Sequence, residues 1–76
     1  MNDRFNFTFP LIESINLKYR YIVITHNMEI EILQFNNNNS VWKLNNIFTI
    51  NNINAIRDQF NDNNWALLQK EIFKAV

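Results

Sequence analysis

The chain contains no glycine, no cysteine and only one proline among its 76 residues. Phosphate-binding loops need glycine so that the backbone can approach the anion, and Walker-type and dinucleotide-binding motifs are therefore excluded. Without cysteine there is no disulfide framework, no thiolate zinc site and no cysteine nucleophile, which suits a reducing compartment. We expect a protein with no cofactor and no metal.

The sequence also lacks an excess charge and a long apolar run. Seven basic and seven acidic side chains cancel, so no overall field directs the molecule toward nucleic acid or an anionic membrane. No apolar run approaches the about 18 residues that a membrane-spanning helix needs. The start, Met1 to Phe9, alternates in polarity and carries both charges, unlike a signal peptide. We expect a cytoplasmic protein without a membrane partner.

Asparagine is abundant, with sixteen copies. It tolerates positive φ and caps helices, so we expect it to form the tight turns that glycine usually forms. The run Asn36 to Asn39 has the length of a loop rather than of a low-complexity tract. AT-rich coding explains the excess of asparagine equally well. Small cysteine-free chains of that origin include inhibitors from phages or mobile elements, an association that proves nothing here.

Two stretches near the start alternate apolar and polar residues with the period of a half-buried strand. Phe5, Phe7 and Phe9 mark the first stretch, and Pro10 ends it because proline donates no backbone hydrogen bond. The second stretch is longer and runs over 15–25. The pattern predicts a short first strand and a long second one.

A two-residue turn at His26 and Asn27 is predicted to lead into a third strand, because both residue types tolerate positive φ. This turn places Tyr21 opposite Ile32 on one face of the sheet. That face is nearly all apolar, so we expect the helices to cover it.

A five-residue loop over 36–40 is predicted before the fourth strand. It places Leu44 opposite Ile32, whereas a loop one residue shorter would turn every side chain of the fourth strand to the other face. Asn45 and Asn46 interrupt the apolar pattern and indicate a bulge. With this loop, the face toward the helices gains Trp42, Leu44, Phe48 and Ile50.

After the fourth strand the apolar period changes to that of a helix. Ile53, Ile56 and Phe60 lie three and four residues apart, and Asn51 or Asn52 is expected to cap the helix. Four polar residues that favour caps then interrupt the pattern, which predicts two short helices in preference to one. The second apolar stripe consists of Trp65, Leu68, Ile72 and Val76.

These elements predict a single α+β domain over residues 1–76, an antiparallel meander of three to four strands packed on one face by one or two C-terminal helices. Two arrangements of the N-terminal segment remain open. It adds a strand to the sheet, or it folds across the face away from the helices, which we call the outer face, with Phe5, Phe7, Phe9, Leu11 and Ile12.

Three groups of side chains are candidates for chemistry, and each has a simpler interpretation. His26 is predicted at an exposed hairpin tip, where a turn residue is the simpler role. A Ser/His/Asp triad would need Ser14 or Ser40 with His26 and an aspartate, but no strained elbow holds a serine. Asp58, Asp62 and Glu71 could offer oxygen atoms to a cation, although solvated side chains are the simpler interpretation. We expect a protein that is not an enzyme.

The outer face is predicted to be more apolar than a free sheet surface, so something should cover it. If the N-terminal segment does not, a second copy or another protein does. We therefore predict a small interaction module, acting as an adaptor, inhibitor or small subunit and forming a homodimer or a complex. Its predicted partner-binding residues are Ile22, Ile24, Leu33, Phe35, Val41 and Ile47.

The alternative is a nucleic-acid-binding module. Basic side chains interleaved with aromatic rings on a sheet bind single strands by charge and stacking. The predicted residues for this mode are Lys18, Arg20, Lys43 and Phe35, with Trp42 as a further ring. Glu29 and Glu31 on the same predicted face oppose it.

Overall fold

A computed structural model describes residues 12–75 as a four-stranded antiparallel sheet followed by a 3-10 segment and an α-helix. The strands lie side by side in chain order. This architecture confirms the predicted α+β meander with C-terminal helices. The elements are β1 (Ile12–Glu13), β2 (Tyr19–His26), β3 (Glu29–Asn38), β4 (Val41–Thr49), the 3-10 segment (Ile50–Gln59) and α1 (Asp62–Ala75).

The predicted strand at 5–9 lies outside the described residues, and so does most of the segment expected to fold across the outer face. In one of the two open arrangements Ile12 would cover the outer face, and it does not. Ile12 lies in β1, pairs with Tyr21 of β2 and is buried in the core on the helix side of the sheet.

The second strand begins at Tyr19 and not at residue 15, because a turn occupies residues 14–17. The Ser14 hydroxyl donates to Asn16 Oδ1 (2.7 Å) and accepts from the Tyr19 N–H (3.1 Å), while the Leu17 N–H donates to the Ser14 carbonyl (3.0 Å). Asparagine and serine side chains favour such turns by bonding to the nearby backbone. Alternating polarity alone could not reveal this competition.

The turn between β2 and β3 lies at Asn27 and Met28, one residue later than predicted. The register therefore differs by two residues, and Ile32 pairs with Val23 instead of Tyr21. A shift of two keeps every side chain on its predicted face. The observed register places Ile22 beside Leu33, a better apolar pair than the predicted partner Glu31.

The turn between β3 and β4 is shorter than predicted. Asn39 and Ser40 alone form it, both at positive φ (54° and 65°), and Asn38 pairs with Val41. A bulge then interrupts the pairing, because Phe35 pairs with Leu44 whereas Gln34 pairs with Asn46. Asn45 is the extra residue, so the predicted bulge is confirmed.

This turn and bulge correct the face assignment of the first half of β4. Trp42 and Leu44 pair with β3 residues of the outer face, not of the helix side as predicted. Val41 and Lys43 consequently lie on the helix side, not on the outer face. After the bulge the prediction holds for β4, since Phe48 pairs with Ile32 on the helix side and Ile47 with Leu33 on the outer face.

The main core lies between the sheet and the helical segments. The 3-10 segment contributes Ile56 to it and is followed by Phe60, while α1 contributes Leu68. The ring of Phe60 lies 4.8 Å from that of Tyr21 and 5.8 Å from that of Trp65. The buried members of this core are Ile12, Tyr21, Ile32, Ile56, Phe60 and Leu68.

Two helical segments form, as predicted, and asparagine side chains sit at the start of both. The Thr49 N–H donates to Asn52 Oδ1 (2.8 Å), so Thr49 and not Asn51 or Asn52 is the N-cap of the 3-10 segment. At α1 the Asn64 N–H donates to Asn61 Oδ1 (2.8 Å), which satisfies one of the unpaired N–H groups of its first turn. Phe60, in extended conformation, separates the segments.

A buried polar chain crosses the core beneath the bulge. Gln34 Nε2 donates to the Tyr21 hydroxyl (2.7 Å), and Asn45 Nδ2 donates to Gln34 Oε1. Gln34 is buried, so these bonds supply partners that water cannot. The bulge thus places an asparagine where it satisfies a core amide.

Tyr21 should make the fold sensitive to alkali. Burial raises the pKa of its hydroxyl above the ordinary 10.0, partly opposed by the Gln34 hydrogen bond and assisted by nearby Tyr19. Above pH 10.0 the unfolded chain loses this proton while the folded chain keeps it, so the free energy of unfolding falls as pH rises. Below that pH the contribution is fully present.

Chemical unfolding followed by circular dichroism, at neutral pH and above pH 10.0, measures this effect. The Tyr21→Phe variant loses the hydrogen bond from Gln34, so its free energy of unfolding at neutral pH should be about 1 kcal/mol lower than that of the wild type. Its free energy of unfolding should also fall less as the pH rises above 10.0. The control Tyr19→Phe keeps the Tyr21 hydroxyl and its burial and removes only the smallest of the causes of the raised pKa, so it should retain most of the alkaline decline. If the free energy of unfolding fell equally with pH in Tyr21→Phe and in the wild type, the Tyr21 hydroxyl would not be the cause of the fall.

Candidate functional site

The predicted docking residues in the middle of the outer face are buried. Ile22, Leu33 and Phe35 have exposures of 0%, 3% and 6% and form a second apolar cluster with half-buried Ile24 and Trp42. No residue of the 3-10 segment or α1 belongs to this cluster. These side chains contribute to the interior of the described structure and offer no open surface to a partner.

The remaining predicted docking residues do not form one patch. Ile47 is on the outer face and partly exposed, next to exposed Leu44. Val41 is exposed as well, but it lies on the opposite face, as described above. Partner binding by these residues stays a prediction, but they do not present one continuous exposed surface.

The residues of the predicted nucleic-acid interface are also separated. Arg20 is paired with Glu13 (3.3 Å), and its guanidinium lies 4.3 Å from the centroid of the Trp42 ring. Phe35 is buried and cannot stack on a base, and Lys43 lies on the other face of the sheet. The geometry thus brings Arg20 and Trp42 together, but not the whole predicted set of charges and rings.

The structure does not assemble a Ser/His/Asp triad from Ser14. The hydroxyl of Ser14 is bonded at the Tyr19 end of β2, whereas His26 ends the same strand, about 23 Å away at 3.3 Å per residue. Asp62 is paired with Arg57 (2.8 Å), and within residues 12–75 no three histidine or acidic side chains cluster in a way that could hold a metal ion. In the same range, no helix is long and apolar enough to cross a membrane.

One edge of the described sheet, along β4, is partly closed by asparagine. In an edge strand, every second residue directs its backbone N–H away from the neighbouring strand. An incoming strand could form hydrogen bonds with these N–H groups. The Ile47 N–H donates instead to Asn46 Oδ1, and the Thr49 N–H to Asn52 Oδ1, both at 2.8 Å. These side chains compete with an incoming strand for the second half of β4.

An apolar groove lies between the 3-10 segment and α1. It has a volume of about 310 Å³. The stripe of α1 forms one wall, because Leu68 points into the core and leaves Trp65 and Ile72 half-buried on its flanks. We call this feature the apolar groove; its lining residues are Ile50, Ile53, Asn54, Trp65, Gln69, Ile72 and Phe73.

Phe73 stands at the rim of the apolar groove with 82% of its surface exposed. A neighbouring cleft shares Ile50 with the groove and contains Met28, the turn residue, which is 97% exposed. Exposed aromatic and methionine side chains that adjoin an apolar depression are typical of interaction sites. None of the residues that line the groove is charged.

Arg57 holds the two walls of the groove together. Its guanidinium donates to the Phe60 carbonyl (3.0 Å) and to Asp62 Oδ1 (2.8 Å), and it lies 5.0 Å from the centroid of the Trp65 ring. These contacts join the end of the 3-10 segment to the start of α1. The groove is therefore preformed, which lowers the entropic cost of filling it.

Sequence reasoning did not find this groove, although one signal pointed to it. The predicted α1 stripe accounts for Trp65, Leu68 and Ile72, and leaves Leu67 and Phe73 unexplained. Apolar residues outside the core stripe of an amphipathic helix are candidates for an external contact. Only the tertiary structure shows that Phe73 adjoins the groove and Leu67 does not line it.

Comparison with known proteins gives no further guide to the site. No protein-family model, no curated protein and no solved structure matches the chain.

Proposed function

We propose that this protein is a small non-enzymatic interaction module, which works by docking its apolar groove against another protein chain. The exposure of Phe73 at the rim of an uncharged depression carries this proposal. Complete burial of an aromatic or aliphatic side chain stabilises a complex by about 1.5 to 3 kcal/mol before the costs of association. Phe73, Ile50 and Met28 together would supply several such contributions.

We propose the groove, and not the outer face, as the contact surface because the central side chains of the outer face are buried. Ile22, Leu33 and Phe35 would have to be uncovered before they could touch a partner, whereas Phe73 and Met28 are already in solvent. An adaptor, an inhibitor and a small subunit of a larger assembly would all use the groove in the same way. The proposal therefore specifies the surface and the mode of action, and leaves the biological role open.

A two-hybrid screen with three baits tests the proposal. The wild-type chain and the Leu67→Ala variant should capture the same partner, because Leu67 is an exposed apolar residue of α1 outside the groove. The Phe73→Ala variant should lose it. Both substitutions are at exposed positions and should change the free energy of unfolding by about 0.5 kcal/mol or less, which circular dichroism checks. Capture of the same partner by all three baits would show that the groove is not the docking surface.

A further inference from the structure

We infer that the occupant of the apolar groove is a second copy of this chain, an inference that rests on the function proposed above. In this arrangement a two-fold axis relates the two molecules, and Phe73 of each inserts into the groove of the other.

Shape supports this occupant, because one surface carries both the projecting ring and the space for it. A two-fold interface uses the same patch on both molecules, so that patch must complement itself. The groove measures about 310 Å³, and an apolar cavity of about 150 Å³ is already large enough to bind benzene. The phenyl ring of a partner's Phe73 therefore fits, with room left for rearrangement of Ile53 and Gln69.

Charge supports the same occupant. The net charge of the chain is zero, so two copies approach without long-range repulsion. The charges near the surface differ in sign, with Glu29 in the cleft next to the groove and Lys70 one helical turn before Phe73. A patch with both signs around an uncharged centre can complement itself, whereas a patch of one sign would repel its copy.

Two other routes to self-association are obstructed in the described structure. Strand addition at the second half of β4 would have to displace Asn46 and Asn52 from the N–H groups that they occupy. The centre of the outer face is buried. At the groove, in contrast, an exposed aromatic ring, that of Phe73, adjoins an apolar depression.

Sedimentation of the full-length protein over a wide range of concentrations tests the inference. The wild-type chain should reach a dimer. Phe73→Ala should raise its dissociation constant about 700-fold or more, since each dimer loses two rings and a ring buried at an interface centre contributes at least about 2 kcal/mol. The control Leu67→Ala should dimerise like the wild type. A wild-type chain that stays monomeric, or a dimer that is indifferent to Phe73→Ala, would overturn the inference.

Cross-linking gives a second, independent readout, because the chain has no cysteine of its own. The variant Gln69→Cys places one thiol in the wall of the groove, and mild oxidation should join two chains through it. Leu67→Cys, outside the groove, should remain largely monomeric. Equal cross-linking of the two variants would count against the groove as the interface.

These experiments separate this inference from the function proposed above. A monomeric protein that still captures a different protein through Phe73 would leave the interaction module intact and remove the second copy as the occupant. A dimer that depends on Phe73 would support both.

Discussion

Replacing Leu68 with alanine should lower the free energy of unfolding by about 2 to 5 kcal/mol, the largest loss expected from any single side chain of α1. Leu68 is completely buried at the centre of the core between α1 and the sheet. The truncation removes its transfer free energy and leaves a cavity, because the rigid sheet beneath it cannot close the gap. Urea unfolding followed by circular dichroism measures the change.

This loss is large for a chain of 76 residues. A domain of that size has a total free energy of unfolding of about 4 to 11 kcal/mol. Leu68→Ala should therefore leave a fraction of the molecules unfolded, whereas its neighbour Leu67→Ala, half exposed, should be nearly neutral. Equal losses in the two variants would mean that α1 does not pack on the sheet through the predicted stripe.

Replacing Leu17, Met28 and Ser40 together with glycine should stabilise the protein by about 1.5 to 3 kcal/mol. These residues occupy the left-handed region, with φ of 61°, 67° and 65°. That conformation costs an ordinary residue about 1 to 2 kcal/mol and glycine almost nothing, whereas glycine adds about 0.5 to 1 kcal/mol of entropy to the unfolded chain. The expected net gain is about 0.5 to 1 kcal/mol at each position.

The three side chains are exposed, so their removal sacrifices little packing. The matched control is Ile15→Gly, an exposed position in the same turn as Leu17 that is not at positive φ. At residue 15 glycine adds only its entropic cost, so the free energy of unfolding of Ile15→Gly should be about 0.5 to 1 kcal/mol lower than that of the wild type. The midpoint temperature of thermal unfolding should therefore rise in the triple variant and fall in the control. A lower midpoint for the triple variant would contradict the argument.

Alternating polarity predicted the elements and most faces of this fold, but not its registers. Tyr21, Val23 and Ile32 lie on the helix side as expected, because the first hairpin differs from the prediction by two residues. Trp42 and Leu44 lie on the unexpected face because the turn before them has two residues instead of the predicted five, and an odd difference exchanges the faces. The bulge after them adds one residue and restores the predicted faces for the rest of β4. Because asparagine is so frequent here, the sequence does not show which asparagines form the turns, and the registers could not be predicted.

The site was less predictable than the fold. Ile22, Leu33 and Phe35 lie on one face as predicted, although the predicted register did not place Ile22 opposite Leu33, and periodicity does not report their burial. Phe73 was visible only as an apolar residue outside the α1 stripe. Its position at a groove depends on how Arg57 joins the two helical segments, a contact between residues whose spacing carries no signal.

The extra residue in β4 also limits how the length of this protein can vary through evolution. Strand residues sort by twos, so an insertion or deletion of a pair in either hairpin would conserve the inside and the outside of the sheet. Loss of Asn45 alone would leave Leu44 opposite Phe35 and Asn46 opposite Gln34, so both halves of β4 would keep their faces, but the buried Gln34 Oε1 would lose its hydrogen-bond donor. We expect natural variants of this chain to differ in length at the hairpins by even numbers and to retain the bulge.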